Sequence, residues 1–184
     1  MKIESVDFFY LSLPEVRDIG DGSQDALLVR VRAGGLGGWG ECEAAPLVSI
    51  AAWNCPMSHS ACKPVSASVL GQEVASPEDI RRINALVRAN SLDLLQADHT
   101  LSGVDVALWD LLGKQVDEPV YPAEPSPLAR DLGGGAWQPD SAGYIHVPEA
   151  PGLGVEPNLD AVRKYLADTE IRVAGRVVYR TPEI

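Results

Sequence analysis

Four prolines, Pro119, Pro122, Pro125 and Pro127, fall within nine residues of this 184-residue chain. Proline fixes φ and lacks an amide hydrogen, so that density permits neither a helix nor a ladder strand. The chain is therefore divided: whatever regular elements form must lie before residue 119 or after residue 127, with a linker or crossing between them.

The part before the prolines reads as strands followed by helices. Residues 2–13 are rich in β-branched and aromatic side chains, and Pro14 ends the run. Residues 14–25 carry Gly20, Asp21, Gly22 and Ser23, the residues of turns and loops. In residues 26–32, Leu27, Val29 and Val31 alternate with Leu28, Arg30 and Arg32, which predicts a strand. Gly34-Gly35 predicts a hairpin turn into a third strand over 36–44. The run Gly35-Leu36-Gly37-Gly38-Trp39-Gly40 fits the spacing G-x-G-x-x-G, but it leads into a strand and not into a helix. It is read as hairpin glycines and not as a phosphate loop.

Residues 45–75 read as irregular. Ser76-Pro77-Glu78-Asp79 then supplies an N-cap, a first-position proline and two acids for a helix whose stripe is Ile80, Ile83 and Val87. A longer helix spans about 97–116, with Leu101, Val104, Leu108, Leu111 and Leu112 on one face. Beyond the prolines the expectations are a short strand at 143–147, a short helix at 159–166 and a last strand at 171–179.

The chemistry-bearing residues are sparse. Net charge is −11, which argues against nucleic-acid or anionic-membrane partners. No apolar run approaches the length of a membrane span, and residues 1–4 do not open a secretory signal, so a cytoplasmic location is expected. Cys42, Cys55 and Cys62 lack the close pairing of a zinc site and read as free thiols. Asp105 and Asp110 read as polar helix positions bonded to neighbouring loops, Trp109 as a core or interface aromatic and Lys114 as a helix-end charge. His99 reads as a solvated or capping residue and His146 as a surface or packing residue. The three histidines are far apart, and no metal-binding spacing joins them to acids.

Residues 103–114, Gly103-Val104-Asp105-Val106-Ala107-Leu108-Trp109-Asp110-Leu111-Leu112-Gly113-Lys114, followed by Pro119-Val120-Tyr121, resemble the helix and exit that close the capping domain of the mandelate racemase/muconate lactonizing enzyme group of the enolase superfamily. Residues 1–44, ending with Gly37-Gly38-Trp39-Gly40-Glu41, resemble that group's opening meander. Residues 143–155, Gly143-Tyr144-Ile145-His146-Val147-Pro148-Glu149-Ala150-Pro151-Gly152-Leu153-Gly154-Val155, resemble its C-terminal signature. The resemblance implies an α+β fold: a three-stranded antiparallel meander and a helical layer. Its parts are a capping domain at 1–121 (meander 1–44, loop 45–75, helices 76–116), a junction at 122–127 and a C-terminal segment at 128–184 that docks back.

The departure from the group lies at that junction. Intact members place a modified TIM barrel between the two signatures, and such a barrel needs roughly 200–250 residues. Six residues stand there instead. In the group the barrel carries the catalytic base and three acidic ligands for Mg2+. The resemblance therefore implies a barrel-less member of a magnesium-dependent racemase, dehydratase or cycloisomerase family acting on carboxylates such as sugar acids. The chain by itself would have no catalytic residue, no metal ligand and no cofactor. A non-catalytic interaction module and a deletion relic are the alternatives. Asp105, Asp110, Asp117 and Glu118 belong to the helix and exit and are not metal-ligand equivalents.

In intact members the loops after the first and third strands close over the barrel mouth and touch substrate. By position these are 14–25 and 45–59, so Asp18, Asp21, Trp53, Asn54 and Met57 are the candidate substrate-capping residues. The face left by the absent barrel implies association with a second copy or with an intact relative.

Overall fold

The computed structural model describes residues 1–18, 20, 24–43, 45–116, 131–133, 150–151, 154 and 156–184. Three strands, β1 (Ile3–Ser12), β2 (Asp25–Ala33) and β3 (Leu36–Cys42), form one antiparallel sheet in the order β1-β2-β3. Four helices follow, α1 (Pro46–Asn54), α2 (Ser66–Val69), α3 (Pro77–Asn90) and α4 (Ala97–Val116), then α5 (Leu159–Tyr165) and the hairpin β4 (Glu170–Val173) and β5 (Arg176–Arg180). The fold is α+β, with an antiparallel meander, a helical layer and no closed barrel among the described residues.

Local chemistry accounts for most boundaries. Gly34 and Gly35, with φ of 58° and 80°, supply the two left-handed residues of a two-residue hairpin turn, whose twist matches that of its strands. In α3, Ser76 occupies the N-cap position, but its hydroxyl does not cap the helix. Asp79 reaches back instead, accepting the Ala75 amide at 3.0 Å and the Ser76 hydroxyl at 3.3 Å. Those bonds, with Arg82, hold the Asp79 carboxyl below the usual range. In α5, Asn158 caps as its residue type prefers, accepting the amides of Asp160 and Ala161.

Two expectations are corrected. Residues 45–75 are not irregular, because α1 and α2 form there. Helix α1 escaped notice because its sequence, PLVSIAAWN, is apolar all round and shows no 3.6-residue stripe, although Pro46 sits at a favoured first position. The last strand is a hairpin rather than one strand. Ala174 and Gly175, with φ of 48° and 78°, turn the chain between β4 and β5. Residues 122–127 and the expected strand at 143–147 lie outside the described residues.

The sheet is buried on both faces. On one face Phe8, Leu27, Val29 and Val31 pack with Ile50, Ile83, Val104, Leu108 and Leu111 of the helices. On the other face Phe9, Leu11, Ala26, Leu28 and Trp39 pack with Leu132 and with Ala161 and Val162 of α5. Residues 26–29 are consequently buried without alternation. Arg30 lies on this second face, its guanidinium 5.0 Å from the Phe9 ring centre and 5.3 Å from that of Trp39, paired to Asp7 at 2.9 Å.

Helix α4 runs antiparallel to β3 and close against it. A Cβ on Gly38 would lie 2.1 Å from the Ala107 carbonyl oxygen, and one on Gly40 would lie 2.2 Å from that of Gly103. One on Gly103 would meet the Cys42 sulfur at 2.7 Å. The four helix residues from Gly103 to Ala107 rise about 6 Å and two strand residues about 6.7 Å, so Gly40 and Gly38 meet successive turns.

Gly38→Ala should therefore force helix and strand apart and lower stability by about 2 kcal/mol or more. Gly37→Ala, where the added carbon meets nothing within 4 Å, should leave stability within about 0.5 kcal/mol of the parent. Urea unfolding of the two variants checks this, and equal losses would contradict it.

Candidate functional site

Strands β1 and β3 end, and β2 begins, at the same edge of the sheet, since Ser12 pairs with Asp25 and Leu27 with Cys42. The loops that follow β1 and β3 thus emerge side by side. Asp18 lies exposed in the first of them, while Asp21 falls outside the described residues. Trp53, Asn54 and Met57 lie on and just after α1. Trp53 is a helix residue, 5% exposed, with its ring 5.2 Å from that of Phe8. Phe8 stands four residues back along β1, about 13 Å from the loop edge. Trp53 is thus a core aromatic at the end of α1 and not a free loop side chain. Asn54 ends the same helix half-buried, donating to the Ile50 carbonyl at 3.0 Å, and Met57 is exposed just beyond.

Trp53 and Asn54 border a cleft of about 220 Å³ that Asp7, Phe8, Tyr179 and Arg180 also line. Asp7 is held by Arg30 and by Arg32 at 3.3 Å. The Tyr179 hydroxyl donates to the Phe8 carbonyl at 2.7 Å, and burial pushes its phenol up. Arg180 is paired to Glu170. Each of these polar side chains is therefore engaged within the chain, and the Tyr179 hydroxyl ties the C-terminal hairpin to β1. Asp7, Tyr179 and Arg180 were not found by sequence reasoning, because residues 8 and 179 meet through tertiary docking that no local pattern records.

The most buried carboxylate among the described residues is elsewhere. Asp110 is fully buried and accepts the Trp39 amide at 2.8 Å, with Lys114 Nζ at 2.9 Å. Lys114 also donates to the Gly37 carbonyl at 3.0 Å and to Glu156. Burial pulls the Lys114 ammonium down, but its bonds to Glu156 and Asp110 outweigh this and raise it above the ordinary lysine value. Asp110 and Lys114 are therefore not simply a polar helix position facing a loop and a helix-end charge. One turn apart on α4, they satisfy the outward backbone groups of the edge strand β3. Asp105 accepts from Asn84 of α3 at 2.7 Å, and Trp109 packs half-buried against the core. His99 is exposed, and its carbonyl accepts the Cys42 thiol at 3.0 Å. His146 lies outside the described residues.

Two further arrangements bear on chemistry. His59 meets Asp93 at 2.6 Å and Ser58 at 2.9 Å, but each of these side chains stands in solvent, and the string ties a loop to the α3–α4 connection. Among the described residues no three His, Cys, Asp or Glu side chains converge so as to share an ion. Gly35 serves the turn and Gly38 and Gly40 the helix contact, as expected of hairpin glycines and not of a phosphate loop.

The family described as mandelate racemase/muconate lactonizing enzyme, N-terminal domain, matches residues 19–122, more than half of the sequence. The chain belongs to this family. A predicted mandelate racemase from Rhodobacter sphaeroides, known from its crystal structure, is 29% identical with a TM-score of 0.91. That match covers 99% of this chain and 100% of the other. A mandelate racemase/muconate lactonizing enzyme from Sulfitobacter sp. is 27% identical with a TM-score of 0.50, over 65% of this chain but only 28% of its own length. No curated protein matches the sequence. The α+β capping fold of the mandelate racemase/muconate lactonizing enzyme family is thus present. No helix among the described residues is long and apolar enough to cross a membrane.

Asp110→Ala should remove the acceptor for Trp39 and leave Lys114 buried beside fewer partners, lowering stability by about 3–5 kcal/mol in urea unfolding. A loss below about 1 kcal/mol would contradict this role. Because the folded Lys114 value is raised, its contribution is complete below the ordinary lysine pKa and is lost as pH rises through the raised value. The difference between parent and a Lys114→Met variant should accordingly stay flat from neutral pH to about pH 9.

Proposed function

We propose that this protein is a capping module of the mandelate racemase/muconate lactonizing enzyme family that does not carry out the family's chemistry by itself. The observation that carries this reading is the pairing of a capping fold with a six-residue junction at 122–127, where larger relatives of the family have a barrel. The chemistry of a magnesium-dependent racemase, dehydratase or cycloisomerase acting on carboxylates begins by removing a proton α to a carboxylate. That step needs a positioned base and a fixed cation beside the developing enediolate. Asp7 and Asp110, the carboxylates engaged most deeply in the fold, are bound to arginine, lysine and a backbone amide, which supports a structural role for them.

In this reading the paired loops after β1 and β3, with Asp18 in the first, form a covering surface for carboxylate substrates such as sugar acids held by a partner. The partner is a second copy or an intact relative in the cytoplasm. The exposed Leu92 and Leu95, 69% and 94% exposed, are consistent with association. The end-to-end match to a chain only 29% identical favours a maintained compact architecture over a deletion relic, since drift without selection would erode the buried contacts.

The test is solvent deuterium exchange at the α carbon of a panel of hydroxy acids and sugar acids with Mg2+ present, followed by proton NMR. The isolated chain should show exchange no faster than buffer. Magnesium-dependent exchange that follows the purified chain through successive columns would overturn the proposal.

A further inference from the structure

The segment after α1 folds back along the helix it leaves. Cys55 closes α1, its amide donating to the Ala51 carbonyl at 2.7 Å. Residues 56–60 are exposed, and the chain reverses there. The Ser58 amide donates to the Cys62 carbonyl at 3.1 Å, and the Cys62 amide to the His59 carbonyl at 3.0 Å. The returning chain reaches the helix at Val65, whose amide donates to the Ala52 carbonyl at 3.1 Å. The Cys55 thiol sits 3.8 Å from that same Ala52 oxygen. It therefore hangs beside the return of the chain, three residues past Cys62. On the outer side, His59 with Asp93, and the Asp93 amide with the Ala61 carbonyl at 3.0 Å, pin the loop to the α3–α4 connection.

Both thiols are free and half-buried, whereas Cys42 is 2% exposed. Burial pushes the Cys55 thiol up and nearby Cys62 adds to the effect, while burial pushes Cys42 up to about 11. A disulfide requires Cα atoms within about 7 Å, and residues 56–60, which join the two cysteines, form an exposed turn closed by the Ser58–Cys62 and Cys62–His59 bonds.

We propose that Cys55 and Cys62 are a dithiol modification site that oxidises to an intrachain disulfide, clamping the end of α1 at the rim of the Trp53–Asn54 cleft. With glutathione disulfide as oxidant, one cysteine thiolate attacks its S–S bond. A protein–glutathione mixed disulfide forms and one glutathione thiolate leaves. The second cysteine thiolate attacks the protein-side sulfur and expels the other glutathione. Two protein thiols lose two electrons and two protons, and one glutathione disulfide becomes two glutathiones. Because thiolates are the nucleophiles and burial raises Cys55, the rate rises with pH across the range from 7 to 9.

The experiment equilibrates the full chain with glutathione/glutathione disulfide mixtures at pH 8, alkylates it before and after unfolding, and maps peptides by mass spectrometry. The expected result is a mass loss of two hydrogens, a peptide joining Cys55 to Cys62, and Cys42 alkylated only after unfolding. Cys55→Ser and Cys62→Ser should each abolish the hydrogen loss and retain glutathione on the remaining thiol. Amide exchange over residues 53–62 should slow by about tenfold in the oxidised chain. Stable glutathione adducts on both cysteines of the parent, links between chains, pairing that includes Cys42, or unchanged exchange after oxidation would each overturn the proposal.

Discussion

Helix α4 can lie against β3 only because Gly38, Gly40 and Gly103 leave room for backbone to meet backbone. A side chain at Gly38 or Gly40 would push the helix off the edge of the sheet. Once the helix is that close, Asp110 and Lys114 reach the Trp39 amide and the Gly37 carbonyl. An edge strand whose outward groups would otherwise face solvent or invite another strand is thereby closed by a helix. The apolar stripe of α4 then has a fixed surface to fill, and Leu108 and Leu111 become fully buried over β2 and β3.

The same approach explains how a short chain of this family remains coherent. The second face of the meander is covered by the C-terminal segment, through Ala161, Val162 and Leu132. Among the described residues that segment is tied at three places: Lys114 to Glu156, the Leu11–Leu166 bridge with its Ala167 amide on the Tyr10 carbonyl, and Tyr179 to Phe8. Each tie uses backbone or charge on an element that α4 and β2 already hold in place. The capping fold thus has two cores of its own, one on each face of its sheet.

The strands and long helices were legible in the sequence because each carries a local signal: Gly34-Gly35 for the turn, Pro77 and two acids for α3, and the leucine stripe for α4. Helix α1 was not, since a helix apolar on every side has no periodicity to read. The hairpin β4–β5 was read as one strand because Ala174 is an uncommon residue at positive φ. The candidate site was less legible than the fold. Asp18 could be placed in its loop from sequence order alone. Trp53 could not be separated from a loop aromatic until α1 and Phe8 were in view. The role of Asp110 depends on a strand 71 residues away, and spacing within the helix carries no trace of it.

The most direct measurement of the central claim is native-state hydrogen exchange at the Trp39 amide. This amide points out of the sheet on an edge strand, a place where exchange is ordinarily governed by local fraying. Held by buried Asp110, it should exchange only through global unfolding, with a free energy that matches the one from urea and falls in step with it in destabilised variants. Exchange by local opening, several kcal/mol easier than unfolding and insensitive to urea, would show that the α4–β3 contact does not hold the fold together.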